Sequence, residues 1–299
     1  MRKFILFFLL LFLINAAFAQ QLHFMSQYLQ HNSMINPAAA GIANKNMVGV
    51  SYRSQWSGFT GSPRTYMVYG DVNLEKLKSG IAGYVYRDET GPTSRTGLQF
   101  AFSKHIISID EKQKLGLGIE LRGLQYALDK SKLINSLGND PSLGGASSKL
   151  GFDAGAGIYY TNGALSIGAA VSQLIQSKLQ LADVPNAKIS GKLYRHYNLN
   201  ANYKIQTGDD IFLIPNVLVR LVNHAPTEYE AGLKIDYQEK IWAAFVYRYE
   251  QLYSIQMGVK IAEKLNVLYS YDAYSTPIGL YDGGSGAHEI GLRFDIQKK

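Results

Sequence analysis

The stretch Tyr253-Ser254-Ile255-Gln256-Met257-Gly258-Val259-Lys260-Ile261 alternates apolar and polar residues without a break. A period of two puts Tyr253, Ile255, Met257, Val259 and Ile261 on one face of a β-strand and the other four residues on the opposite face. The pattern returns at Ile290, Leu292, Phe294 and Ile296, set against Glu289, Gly291, Arg293 and Asp295. From about residue 193 onward it repeats in runs of about ten residues, each closed by a turn. Strands of that length, with one oily face and one wet face, suit a transmembrane barrel, whose outside meets lipid and whose inside meets water.

Working outward from these runs gives fourteen candidate strands, near 46–56, 64–73, 79–88, 94–105, 114–127, 150–160, 164–172, 193–205, 210–222, 227–237, 240–250, 252–262, 264–273 and 286–297. The predicted fold is all-β: a transmembrane antiparallel β-barrel of about 14 strands over residues 46–299. The longest connections, 128–149, 173–192 and 274–285, all fall at one end, and the other end is joined mostly by short turns such as Thr161-Asn162-Gly163. Long outer loops and short periplasmic turns are the asymmetry of an outer-membrane barrel. Arg or Lys facing lipid near the midplane costs about 2–4 kcal/mol. The charged rows must therefore face inward, lining the lumen with Arg220, Arg248, Glu230, Lys234, Lys260 and Arg293. Mixed signs across a narrow lumen tend to pair and fill it. A soluble sandwich or lipocalin-like barrel also alternates, but with fewer and shorter strands.

Two segments precede the barrel. Residues 1–19 read as a signal peptide: Arg2 and Lys3, then an apolar run from Phe4 to Leu13, then Ala17-Phe18-Ala19 as the cleavage site. Residues 20–45 read as a periplasmic or plug segment, polar and weakly helical, broken at Asn36-Pro37-Ala38-Ala39-Ala40-Gly41. The chain has no Cys, which excludes a disulfide framework, and no further long apolar run of the kind a membrane helix needs. The formal charge of +7 falls to +5 when Arg2 and Lys3 leave with the signal, too mild an excess to indicate nucleic acid. The 21 Tyr residues suit strands and membrane interfaces alike.

Catalytic chemistry finds no foothold. None of the six His residues pairs with another at metal-ligand spacing, so no metal or other cofactor is expected. On a strand, His288 and Glu289 point to opposite faces, as a structural pair opening the last strand. Gly116-Leu117-Gly118 and Gly155-Ala156-Gly157 are glycine pairs within strands, where glycine permits bending or close approach.

Two irregular segments stand apart, Tyr52 to Thr65 and Arg87 to Ser94. Together with Asn36-Pro37-Ala38 followed by Gly41, they carry Arg53-x-Gln55-Trp56-x-Gly58-x-x-Gly61-x-Pro63-x-Thr65 and Asp88-x-x-Gly91-Pro92. The last strand opens on His288-Glu289-Ile290-x-Leu292. This set resembles the PorP/SprF family, outer-membrane proteins of the type IX secretion system in Bacteroidetes, across essentially the whole mature chain. The resemblance implies a non-enzymatic role in the outer membrane: supporting secretion and surface anchoring of partner proteins, including gliding adhesins that carry a type IX C-terminal sorting domain. It implies two kinds of partner, such cargo and other secretion or gliding proteins. Arg53, Gln55, Trp56, Phe59 and Asp88 are the candidate partner-binding residues. Asn36 and Pro37 mark the plug segment, and His288 and Glu289 the last-strand motif. A transport channel of fatty-acid-transporter or porin type is the alternative, since a barrel with an N-terminal plug also suits solute passage.

Overall fold

A computed structural model describes residues 25–43, 45–109, 112–132, 148–179, 192–223, 225–261, 264–277, 279, 283 and 285–296. The signal-peptide reading of residues 1–19 and most of the two longest loops lie outside them. The strands are β1 Asn46–Gln55, β2 Arg64–Leu74, β3 Ser79–Thr90, β4 Thr93–Ile107, β5 Lys114–Leu128, β6 Ser148–Thr161 and β7 Leu165–Ser172. They continue as β8 His196–Tyr203, β9 Ile205–Gln206, β10 Ile211–Val222, β11 Glu228–Tyr237, β12 Ile241–Arg248, β13 Leu252–Ile261, β14 Leu265–Tyr274 and β15 Ala287–Ile296. All pair antiparallel with their neighbours in space, and β1 closes on β15, with Tyr52 opposite Ile290.

The barrel has fourteen staves, because β8 and β9 form one stave that is interrupted at Lys204. Continued across the gap, the register sets Tyr203 opposite Pro215 and Lys204 opposite Ile214. Proline has no N–H to donate, so the ladder lapses there and resumes. The sequence reading drew this stave as one strand, and its other boundaries agree with the observed ones to within a few residues.

The alternation sets the two faces. Outward positions are apolar on every strand, for example Phe100, Ile119, Leu199, Phe245, Ile255 and Leu292. Such a continuous apolar belt has no place in water and suits lipid. Inward positions carry the charges, and the expected pairing holds: Arg220 meets Glu228 at 3.0 Å, Arg248 meets Glu230 at 2.9 Å and Lys234 meets Asp236 at 2.9 Å. At one end, which we call the long-loop end, lie the connections 129–147, 173–195 and 275–286. At the other, the short-turn end, lie connections such as 162–164 and 238–240.

Residues 25–43 form a strap inside the lumen. It is built from 3-10 turns at Ser26–Gln30, Asn32–Met34 and Pro37–Ala39. Turns this short bring no ladder of their own, so their backbone groups need partners from the wall. Asn36 starts the last turn, its side chain accepting from Ala38 N–H at 3.0 Å with Pro37 at the first helical position.

Candidate functional site

The strap enters at the long-loop end and leaves at the short-turn end, held in three places. At the entrance, Arg53 of β1 is 1% exposed. Its guanidinium donates to Asp272 of β14 at 2.5 Å and to Glu289 of β15 at 3.3 Å. The same group donates to the Ser26 hydroxyl at 2.8 Å. Ser26 in turn donates its N–H to Glu289 at 2.8 Å and its hydroxyl to Asp272 at 2.6 Å, and its carbonyl accepts from Gln256 at 2.9 Å. One cation between two carboxylates, all closed off from water, is stable only while every partner stays in place. One turn further on, the Tyr28 hydroxyl donates to Glu230, which is itself held by Arg248.

The middle of the strap lies against a wall of glycines. A Cβ at Gly118 would stand 2.3 Å from the Ala38 nitrogen, and one at Gly157 would stand 2.2 Å from the Asn36 side-chain oxygen. The glycine pairs in β5 and β6 therefore serve close approach of a second backbone. The side chain of Asn36, fully buried with Pro37, reaches across to donate to the carbonyls of Ile158 at 3.0 Å and Ala169 at 3.3 Å. Lumenal side chains satisfy the strap's own backbone in the same way. Ser103 donates to the Ala38 carbonyl at 2.8 Å, Asn198 to that of Ile35 at 2.9 Å, and Gly41 N–H reaches Asp71 at 2.6 Å.

At the exit, Lys45 pairs with Glu239 in the 238–240 turn at 2.6 Å. That hydrogen bond, assisted by the charges of Lys45 and Lys204, holds the Glu239 carboxyl below its ordinary value. Above this turn the strap roofs a cavity of about 690 Å³, lined by His31, Lys45, Lys204, Glu239, Trp242 and Arg293 among others.

The residues singled out in the sequence fall into two groups. Arg53, Glu289, Asn36 and Pro37 belong to the strap and its seating. Arg53 thus faces inward, away from any outside molecule. Gln55 extends the same network, accepting from Arg53 Nε at 2.9 Å, and Asp88 accepts from the Thr65 hydroxyl at 2.9 Å. Trp56 and Phe59 sit in the β1–β2 connection at the long-loop end. The Trp56 backbone N–H donates to the Gly286 carbonyl at 2.7 Å, and the indole ring lies 5.5 Å from the Tyr274 ring. Phe59 is 38% exposed. His288 points outward and shares a 2.7 Å hydrogen bond with the Tyr269 hydroxyl, while Glu289 points inward, as the strand period requires. Sequence reasoning missed Ser26, Asp272 and Gln256. Asp272 sits on the inward row of β14, so its facing was readable, but its partner on β1 was not.

A closed antiparallel barrel with an apolar outer belt and a polar, occupied lumen defines a membrane-spanning β-barrel resembling an outer-membrane transporter. Residues 17–294 match the type IX secretion system membrane protein PorP/SprF family, and the chain belongs to that family. The family implies a non-catalytic role. Among solved structures the chain is similar to the Ralstonia pickettii toluene transporter TbuX, at 11% identity and a TM-score of 0.52, covering 88% of this chain and 93% of that one. It is also similar to the Pseudomonas putida toluene transporter TodX, at 9% identity and a TM-score of 0.45, covering 92% of this chain and 93% of that one. At these identities the likeness to TbuX shows the fold alone. A search of curated proteins gives no match.

Proposed function

We propose that the protein is a non-enzymatic component of the type IX secretion system in the bacterial outer membrane, and that it holds a secreted partner at its long-loop end. The partner is a surface protein carrying a type IX C-terminal sorting domain, an adhesin in gliding bacteria. The observation that carries this reading is the occupied lumen. The strap runs the length of the barrel and is tied at both ends, so the barrel is built as a fixed support with its largest loops turned outward. The exposed Phe59, with Trp56 beside it, offers an aromatic contact at that rim, and Gln55 and Asp88 stiffen the strands that carry it. Affinity capture of the protein from detergent extracts is expected to bring down a surface protein with the sorting domain, and deletion of the gene is expected to abolish its display. Recovery of the barrel alone, with normal display in the deletion strain, would refute the reading.

The large cavity at the short-turn end favours a second reading, solute transport. Uptake of small solutes into liposomes bearing the full chain would establish it.

A further inference from the structure

The cavity beneath the strap has features that holding a partner at the opposite end does not use. It opens where Lys45, Asn162 and Glu239 are exposed, and its inner end is closed by residues 29–33 of the strap, giving a blind vestibule of about 690 Å³. That volume is in the range of ligand sites. Two clusters in and beside it each set two cations on one carboxylate. Lys45 at 2.6 Å and Lys204 at 3.9 Å share Glu239, while Arg293 at 2.8 Å and Lys260 at 3.9 Å share Asp295. Each cluster keeps one positive charge in excess. A low-dielectric wall on every side concentrates that potential on the space between them.

A second observation points to a guest. His31 on the roof is 3% exposed, its ring lies 4.0 Å from that of Tyr69, and neither ring nitrogen has a hydrogen-bond partner. Buried polar atoms of this kind are ordinarily satisfied, and His31 lines both the vestibule and a smaller void beside Tyr69 and Gln99. Trp242 supplies an apolar side wall, with the Lys234 ammonium 5.0 Å from its ring.

We propose that this vestibule binds an acidic peptide segment entering along the barrel axis from the short-turn end. The carboxylates meet the two clusters, and the chain lies against Trp242, with His31 at the closed inner end. Access through the barrel mouth favours an extended chain end over a folded surface. The proposal concerns the end of the barrel away from the long loops and stands whether or not a secreted partner is held there.

The test uses the purified full-length protein in detergent. The chain has two tryptophans, so Trp56→Phe leaves Trp242 as the reporter. Hexaglutamate is expected to change Trp242 emission saturably, and hexaglutamine is not. Raising the salt from about 50 to 500 mM should weaken the binding at least about tenfold. Lys204→Gln should weaken it and Glu239→Gln should tighten it, each by about three- to tenfold. Glu239 is half-exposed, so its amide variant is expected to fold, and its opposite sign separates electrostatic recognition from damage to the barrel. No saturable change, an equal response to hexaglutamine, or binding indifferent to both variants would overturn the proposal. So would inorganic phosphate giving the same change at the same concentration, since that would make the site one for a free anion.

Discussion

Replacing Arg53 with alanine tests how the strap is held. Among the described residues, the guanidinium touches the strap through Ser26, at 2.8 Å, and its other partners are wall residues. Breaking a buried ion pair costs about 3–5 kcal/mol in total. Most of that falls on the barrel, because Asp272 and Glu289 sit diagonally on neighbouring strands whether or not the strap is seated. The strap's own share is one hydrogen bond to a charged donor, about 1.5–3 kcal/mol. That corresponds to about a 10- to 150-fold rise in the unseated population. Water reaching the two carboxylates once the strap leaves adds to it, so the range is a lower bound. The chain lacks cysteine, which makes Ser33→Cys, at a buried strap position on the inner wall of the vestibule, a reporter for a bulky maleimide that the vestibule does not admit. Where reseating outpaces modification, the maleimide labelling rate scales with the unseated population. Arg53→Ala should accelerate labelling by at least about tenfold. Arg53→Lys, which keeps the charge but loses the fork, should fall between. Heat-modifiable gel mobility would confirm that the barrel still forms. Equal labelling rates in a folded Arg53→Ala protein would refute the assignment of Arg53 as the clasp.

Three further outcomes follow from other parts of the structure. Gly118→Val places side-chain carbon where Ala38 stands and should destabilise strap seating by about 1–3 kcal/mol, read as faster labelling of Ser33→Cys; an unchanged rate would show that the wall can yield. Met257→Arg, midway along the outward row of β13, should lower folding stability in lipid vesicles by about 2–4 kcal/mol. The inward-facing Lys260→Arg in the same strand should change it little, and similar losses from both would contradict the facing. The Lys45–Glu239 pin depends on an ionised carboxylate whose folded value is depressed, so its contribution is complete above about pH 4.5 and fades as pH falls through the lower folded value. Both side chains are about half exposed, so solvent screening limits the contribution to under about 1 kcal/mol. The labelling rate of Ser33→Cys, corrected against a free thiol at each pH, should rise toward pH 3, and Glu239→Gln should make that rise smaller.

Much of the barrel was legible because lipid enforces a simple rule on every outward position. The alternation through Ile255, Met257 and Val259 had to be inward and outward by turns, and the staves and the lumenal charges came with it. The break at Lys204 was less visible, because it comes from Pro215 on the neighbouring strand. The strap was the hard part. Residues 20–45 read as polar and weakly helical, but their conformation is set by partners 27 to 263 positions away, such as Arg53 and Glu289. Arg53 shows the same limit. It sits on the inward row with Met47 and Ser51, so the period of two placed it in the lumen, whereas the motif around Trp56 suggested a contact with a partner.

The central claim is that the barrel is a closed support and that the strap closes it. Single-protein conductance in planar bilayers tests this most directly. The full-length protein is expected to pass no steady current, and a variant lacking residues 25–43 is expected to open stable conducting steps. Steady conductance by the full-length protein, unchanged when the strap is removed, would contradict the account.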